Sequence, residues 1–370
     1  MHDTTTHTVA SATDITSLDA VPAATHANRF LSDPAWLLRG DPEHPEHDAL
    51  GLRNPKGVTL PELVVIGGGQ VYGEGLSVTQ NWPAQLGRRM GGGVLNAGMP
   101  GWGSVQYALA AEKLLALSPR RIIVCLTPAS DLARAFNTAR VSVSPLARSF
   151  FEARWADLPQ PDHSVLFASG RAVERLWAEN PDLAEEDVLS LLAQRGEPDV
   201  NPCVLDSSRF YLAEHSLFAM QNLEHPAIEA GLSITVKVLK HLRALAEERQ
   251  FSLTILLLPS REYLVAQRIG EAQVRDRESL ESLGLAETAV LGELRAACAG
   301  LSLRCFDLTG YLKAFVGSRI HAQNTREGRL SPKGCDLLAR FVRERVLPGA
   351  VVREPARTSD AAVGGIYPLY

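Results

Sequence analysis

The chain has 370 residues, 45% hydrophobic and 21% charged, which is ample for one large globular core. A net charge of −5 without any block of like charge excludes the basic footprint of a nucleic-acid-binding protein. No apolar run is long enough to span a bilayer, and MHDTTTHTVASATDITSLDA lacks the basic-then-apolar order of a secretory signal, so no membrane partner is expected. Cys125, Cys203, Cys298, Cys305 and Cys335 are odd in number and form no CxxC pair. That pattern is expected of reduced thiols in a cytoplasmic protein.

Taken in chain order, residues 1–28 are rich in Thr, Ala, Ser and His with little apolar periodicity, and DPEHPEH follows at 41–47. A disordered arm over 1–44 is expected. Leu63–Ile66 is a short apolar strand running into Gly67, Gly68 and Gly69. Residues 81–90 carry Trp82, Leu86 and Met90 on one helical face. Val94 and Leu95 begin a second strand, residues 104–117 an Ala/Leu-rich helix, and 121–126 (RIIVCL) a third strand whose unbroken apolar run suits burial on both faces. A helix begins near Leu132. Residues 140–225 break the rhythm with prolines and aromatics and are expected to form a helical insertion or lid. Helix resumes at 228–250, strand at 251–258, helix at 271–299 and a fifth strand at 302–306. Ser331 followed by Pro332 reads as the cap and first residue of a last helix ending near Val346, with an irregular tail over 349–370. Alternating strands and helices predict a parallel sheet covered on both faces, with its chemistry at the carboxyl ends of the strands.

The motifs at those strand ends carry a resemblance. VVIGGGQVYGEGLSVTQNWPAQL, VLNAGMPGWGSVQYALA, IIVCLTPASDLARAFN and NTREGRLSPKGCDLLARFV resemble, in order, the conserved blocks of the SGNH/GDSL hydrolases, and HDALGLRNP is similar to the lead-in seen in many of them. The resemblance spans roughly 45–348 and implies a three-layer α/β/α, flavodoxin-like domain with a five-stranded parallel sheet and a helical insertion. Matched residue by residue, the nucleophilic serine falls on Gly69. The oxyanion-hole glycine falls on Gly101, the oxyanion-hole asparagine on Ser130, and the aspartate after it is kept as Asp131. The base histidine falls on Arg329 and its acidic partner on Glu327 or Arg326.

Glycine has no hydroxyl to acylate, and an arginine cannot take up a proton. The resemblance therefore implies no ordinary serine hydrolase. Gly68, Gly69, Gln70, Gly101, Ser130 and Arg329 are the expected ligand-facing residues, and a small anionic or acyl molecule is the expected partner. Consecutive glycine N–H groups and a guanidinium suit an anion, unless Glu74 or Glu327 already pairs with Arg329. Asp131, Glu327 and His321 are candidates for acid–base work. The plainer readings are a loop-ordering carboxylate, a surface carboxylate and a polar loop histidine. His44 and His47 with Glu43 and Glu46 look faintly metal-like but are broken by proline, and no metal or cofactor is expected. Three functions stay open: a pseudo-hydrolase that binds without hydrolysis, a noncanonical enzyme on this fold, and an esterase or acyltransferase with its nucleophile elsewhere.

Overall fold

Short apolar runs separated by amphipathic helices give a chain that must bury each strand on both sides. The computed structural model describes residues 29–34, 36–55, 60–160, 185–195, 200–206, 208–322 and 328–348. In chain order these hold β1 (Phe30–Asp33), β2 (Leu37–Gly40), β3 (Leu63–Gly67), α1 (Trp82–Met90), β4 (Val94–Gly98), α2 (Ser104–Leu114), β5 (Arg121–Leu126) and α3 (Pro128–Val141). Then come α4 (Pro145–Phe150), α5 (Glu185–Gln194), β6 (Asn201–Leu205), β7 (Ser208–Leu212), α6 (Glu214–Ala219), α7 (Pro226–Arg249) and β8 (Ser252–Leu257). The chain closes with α8 (Arg261–Ala266), β9 (Gln273–Val274), α9 (Arg277–Gly300), β10 (Arg304–Asp307) and α10 (Pro332–Phe341).

The central sheet has the order β10-β8-β5-β3-β4, all parallel. Numbered by their own succession its strands run 2-1-3-4-5, the flavodoxin-like doubly wound order expected from the sequence. Alternation along β3 divides the core. Val64 and Ile66 pack with α2, α3 and α7 on one face, while Leu63 and Val65 pack with α1 and α10 on the other. Both sets are fully buried, each side chain worth about 1.5–3 kcal/mol. Local signals fix the helix starts. Asn81 accepts from the Ala84 N–H, Asp276 from Ser279, and Ser331 from Gly334 with Pro332 behind it.

Three expectations are corrected. The arm expected over 1–44 is ordered from Arg29 onward: β1 and β2 form an antiparallel hairpin, and Trp36 between them is buried edge-on against Trp102 at 5.5 Å. Strands of four residues leave too little periodicity to read. The insertion over 140–225 is not wholly helical, because β6 and β7 pair antiparallel and β9, some seventy residues further on, completes a three-stranded sheet. The helix expected from residue 271 starts at Arg277, since Gln273 and Val274 belong to that sheet. The tail over 349–370 lies outside the described residues.

The lead-in HDALGLRNP packs behind the first strand's turn. Buried Arg53 donates to the Tyr72, Gly73 and Leu76 carbonyls and to the Glu46 carboxylate. Asn54 exchanges two hydrogen bonds with the Asn96 backbone, satisfying groups on the edge strand β4. His47 contacts the Tyr72 hydroxyl at 2.9 Å and Glu46 pairs with Arg29 and Arg53, so this His/Glu group braces the fold. Among the described residues no trio of His, Cys, Asp or Glu is grouped to hold a metal ion. Nor is any helix among them long and apolar enough to cross a membrane.

Candidate functional site

The chain order reverses at β3, which lies between β4 and β5, and the carboxyl ends of these three strands open the crevice where doubly wound sheets bind ligands. β3 ends at Gly67 and enters a single helical turn, Gly69–Tyr72, closed by Gly73 at φ +76°. The glycines here differ in purpose. A β-carbon on Gly67 would collide with the Val71 side chain, and one on Gly98 with the Val71 and Tyr72 backbone. These two are bare because β3 and β4 press on the turn. At Gly69 the nearest atom to such a carbon would be the Pro100 Cα, 4.0 Å away, so a side chain fits there.

Gln70 stitches this turn to the loop before α10. Its amide donates to the Gly328 carbonyl at 3.4 Å and its oxygen accepts from the Leu330 N–H at 3.1 Å. Arg329 sits between these two anchors. Its Nη2 lies 3.4 Å from the Glu74 carboxylate, and its Nη1 is 3.8 Å from the place a β-carbon on Gly75 would take. The structure thus joins Gln70 to the loop that carries Arg329, and the Glu74 pairing weighed from the sequence is formed. Glu327 and Arg326 lie outside the described residues.

Asp131 stands in the first turn of α3, buried beneath this surface. It accepts from the Thr127 N–H at 2.9 Å, from the Tyr107 hydroxyl at 3.1 Å and from Ser130 Oγ at 3.4 Å. Burial pushes its carboxyl up to about 7, against the pull of those bonds and of Arg134. Ser130 is turned toward Asp131, and Gly101 adopts φ +78°, a left-handed bend open to glycine at little cost. His321 bridges Leu330 in the strand-like pairing behind Arg329. It is 6% exposed, and burial, with Arg261 beside it, lowers its imidazole to about 3. A histidine so held is neutral, and among the described residues its Nδ1 has no hydrogen-bond partner. It backs the loop and offers no surface to a ligand.

Two residues absent from the sequence reading shape the floor. The Tyr107 hydroxyl and Arg134 Nη1 lie 3.3 and 3.6 Å from where a β-carbon on Gly68 would be. Arg134 follows Asp131 by three on the same helix, hence on the same face, and that spacing was the available signal. Tyr107 had none, because an aromatic in an Ala/Leu helix reads as core.

No family model matches the chain and no curated protein matches it. Solved structures do. A member of the lipolytic protein G-D-S-L family from Veillonella parvula is 11% identical with a TM-score of 0.36, over 77% of this chain and 98% of that one. The lipase/acylhydrolase from Enterococcus faecalis is 13% identical with a TM-score of 0.32, over 76% and 96%. The chain resembles the GDSL lipolytic proteins. At these identities the likeness concerns fold.

Proposed function

We propose that the protein is a pseudo-hydrolase: it keeps the ligand crevice of a GDSL-type fold without the covalent chemistry and binds a small anionic or acyl molecule there. One observation carries the reading. The segment Gly67–Gly69 at the end of β3 has no side-chain hydroxyl, although Gly69 has room for a side chain. A serine would fit, so sterics do not account for its loss. Without a nucleophile the acyl-enzyme route is closed, and Arg329, permanently charged, cannot serve as its base. The odd number of cysteines and the lack of a CxxC pair support a cytoplasmic setting.

Arg329 and the turn are the proposed ligand contacts. A ligand carboxylate exchanges with Glu74 for the guanidinium, and a charge-assisted bond of this kind is worth about 1.5–3 kcal/mol. Calorimetry and thermal shift with a panel of small carboxylates, phosphates and acyl esters test this. Binding by the wild type that weakens about tenfold or more in Arg329→Ala supports it. If the wild type binds none of the panel, or the variant binds equally well, the reading fails.

A second reading, a noncanonical enzyme, rests on Asp131. A carboxyl held near neutrality is suited to proton transfer. Its burial and three hydrogen bonds favour instead the ordering of the third strand's loop. Turnover of any bound ligand that Asp131→Asn abolishes while sparing affinity decides for the enzyme.

A further inference from the structure

α9 ends in a tight reversal that brings two cysteines together. Ser302 takes φ +53° and donates to the Ala299 carbonyl, and the Leu303 N–H reaches back to Cys298 at 2.8 Å. These two bonds form a Schellman motif, whose first carbonyl belongs to Cys298 and whose outer residue is Leu303. Such motifs bring the outer residue against the residue that carries that first carbonyl. β10 then starts, and alternation sets Cys305 on the same side as Leu303. Leu303 and Cys305 both pack on the core cluster that contains Cys298, and each thiol shifts the proton affinity of the other.

From this geometry we propose that Cys298 and Cys305 form a redox-sensitive dithiol, oxidised to an intramolecular disulfide that ties the end of α9 to the edge strand β10. The pair is asymmetric in a useful way. Cys298 is buried and Cys305 is half-buried, so a small oxidant meets Cys305 at the surface while its partner waits behind it. With hydrogen peroxide the chemistry balances. One thiolate attacks a peroxide oxygen and becomes a sulfenic acid, releasing hydroxide that takes up a proton as water. The second thiol attacks that sulfur, the S–S bond forms, and a second water leaves. Cys125, Cys203 and Cys335 are buried.

The test uses the full chain and needs no ligand, so it stands apart from the proposed function. The reduced protein is exposed to hydrogen peroxide and weighed intact, then alkylated under denaturing conditions for thiol counting and peptide mapping. The oxidised chain is expected to be about 2 Da lighter, to have lost two titratable thiols, and to yield one disulfide-linked peptide pair joining residues 298 and 305. Cys298→Ser is expected to form no crosslink and to carry Cys305 onward to sulfinic acid. If that variant does not fold, Cys305→Ser and the wild-type peptide map serve in its place. A wild type that keeps all five thiols, gains only oxygen, or links any other pair overturns the proposal.

Discussion

The contrast between Gly69 and Gly98 gives the sharpest mechanical prediction. Both end up in one turn region, both are glycine, and a sequence reader treats them alike. A methyl on Gly98 would press within 3.0 Å of backbone atoms of Val71 and Tyr72, which have no rotamer to change. Gly98→Ala must therefore shift the helical turn or the end of β4, and such overpacking costs about 1–3 kcal/mol, here at the upper end. Gly69 is helical, has no positive φ, and meets nothing nearer than 4.0 Å. Gly69→Ser should change stability by less than about 0.5 kcal/mol, in the range of an uncrowded surface substitution. The two variants should thus differ by roughly 2–3 kcal/mol, or several degrees in Tm. Urea denaturation monitored by circular dichroism, with unchanged m-values, measures the gap directly. If Gly69→Ser falls as far as Gly98→Ala, the room described at Gly69 is not there, and sterics explain the glycine.

Other consequences follow from the same site. His321 sits near 3 when folded and near 6.5 when unfolded, so the unfolded chain binds an extra proton between those values and stability is lost as pH falls through them. The slope from this residue is at most about 1.4 kcal/mol per pH unit. Asp131 and Glu287, both raised to about 7, act in the opposite sense, adding stability at low pH that is lost as pH rises toward 7. The difference between wild type and His321→Gln isolates the histidine, and two parallel stability curves from pH 6.5 to 4.5 would refute its buried neutral state. Gln70→Ala removes the bonds from its side chain to Gly328 and Leu330; amide exchange at Leu330 should accelerate by about fivefold or more, corresponding to roughly 1 kcal/mol. Unchanged exchange there would mean that Gln70 does not clamp the loop.

How far this molecule was legible from its residues depended on whether a signal was local. RIIVCL is β5 to the residue, because a strand buried on both faces needs only a continuous apolar run. Ser331-Pro332 and Asn81-Trp82-Pro83 start their helices where cap chemistry says they should. β6 was missed because NPCVL begins with asparagine and proline, and its second partner, β9, is a two-residue strand contributed from far along the chain. The site shows the same division. That the turn carrying Gln70 meets the loop carrying Arg329 was implied by the resemblance of the motif blocks. That Arg329 is held by Glu74, that Asp131 is bound by Tyr107, and that His321 is sealed behind the loop depend on side-chain packing, which no spacing encodes.

Labelling with a fluorophosphonate probe tests most directly whether the crevice holds a serine nucleophile. Wild-type protein should stay unlabelled at probe concentrations that saturate a working serine hydrolase, with hydrolysis of short p-nitrophenyl esters at the buffer rate. Stoichiometric labelling of the wild type, mapped by peptide mass spectrometry to a serine lining the crevice, would contradict the account.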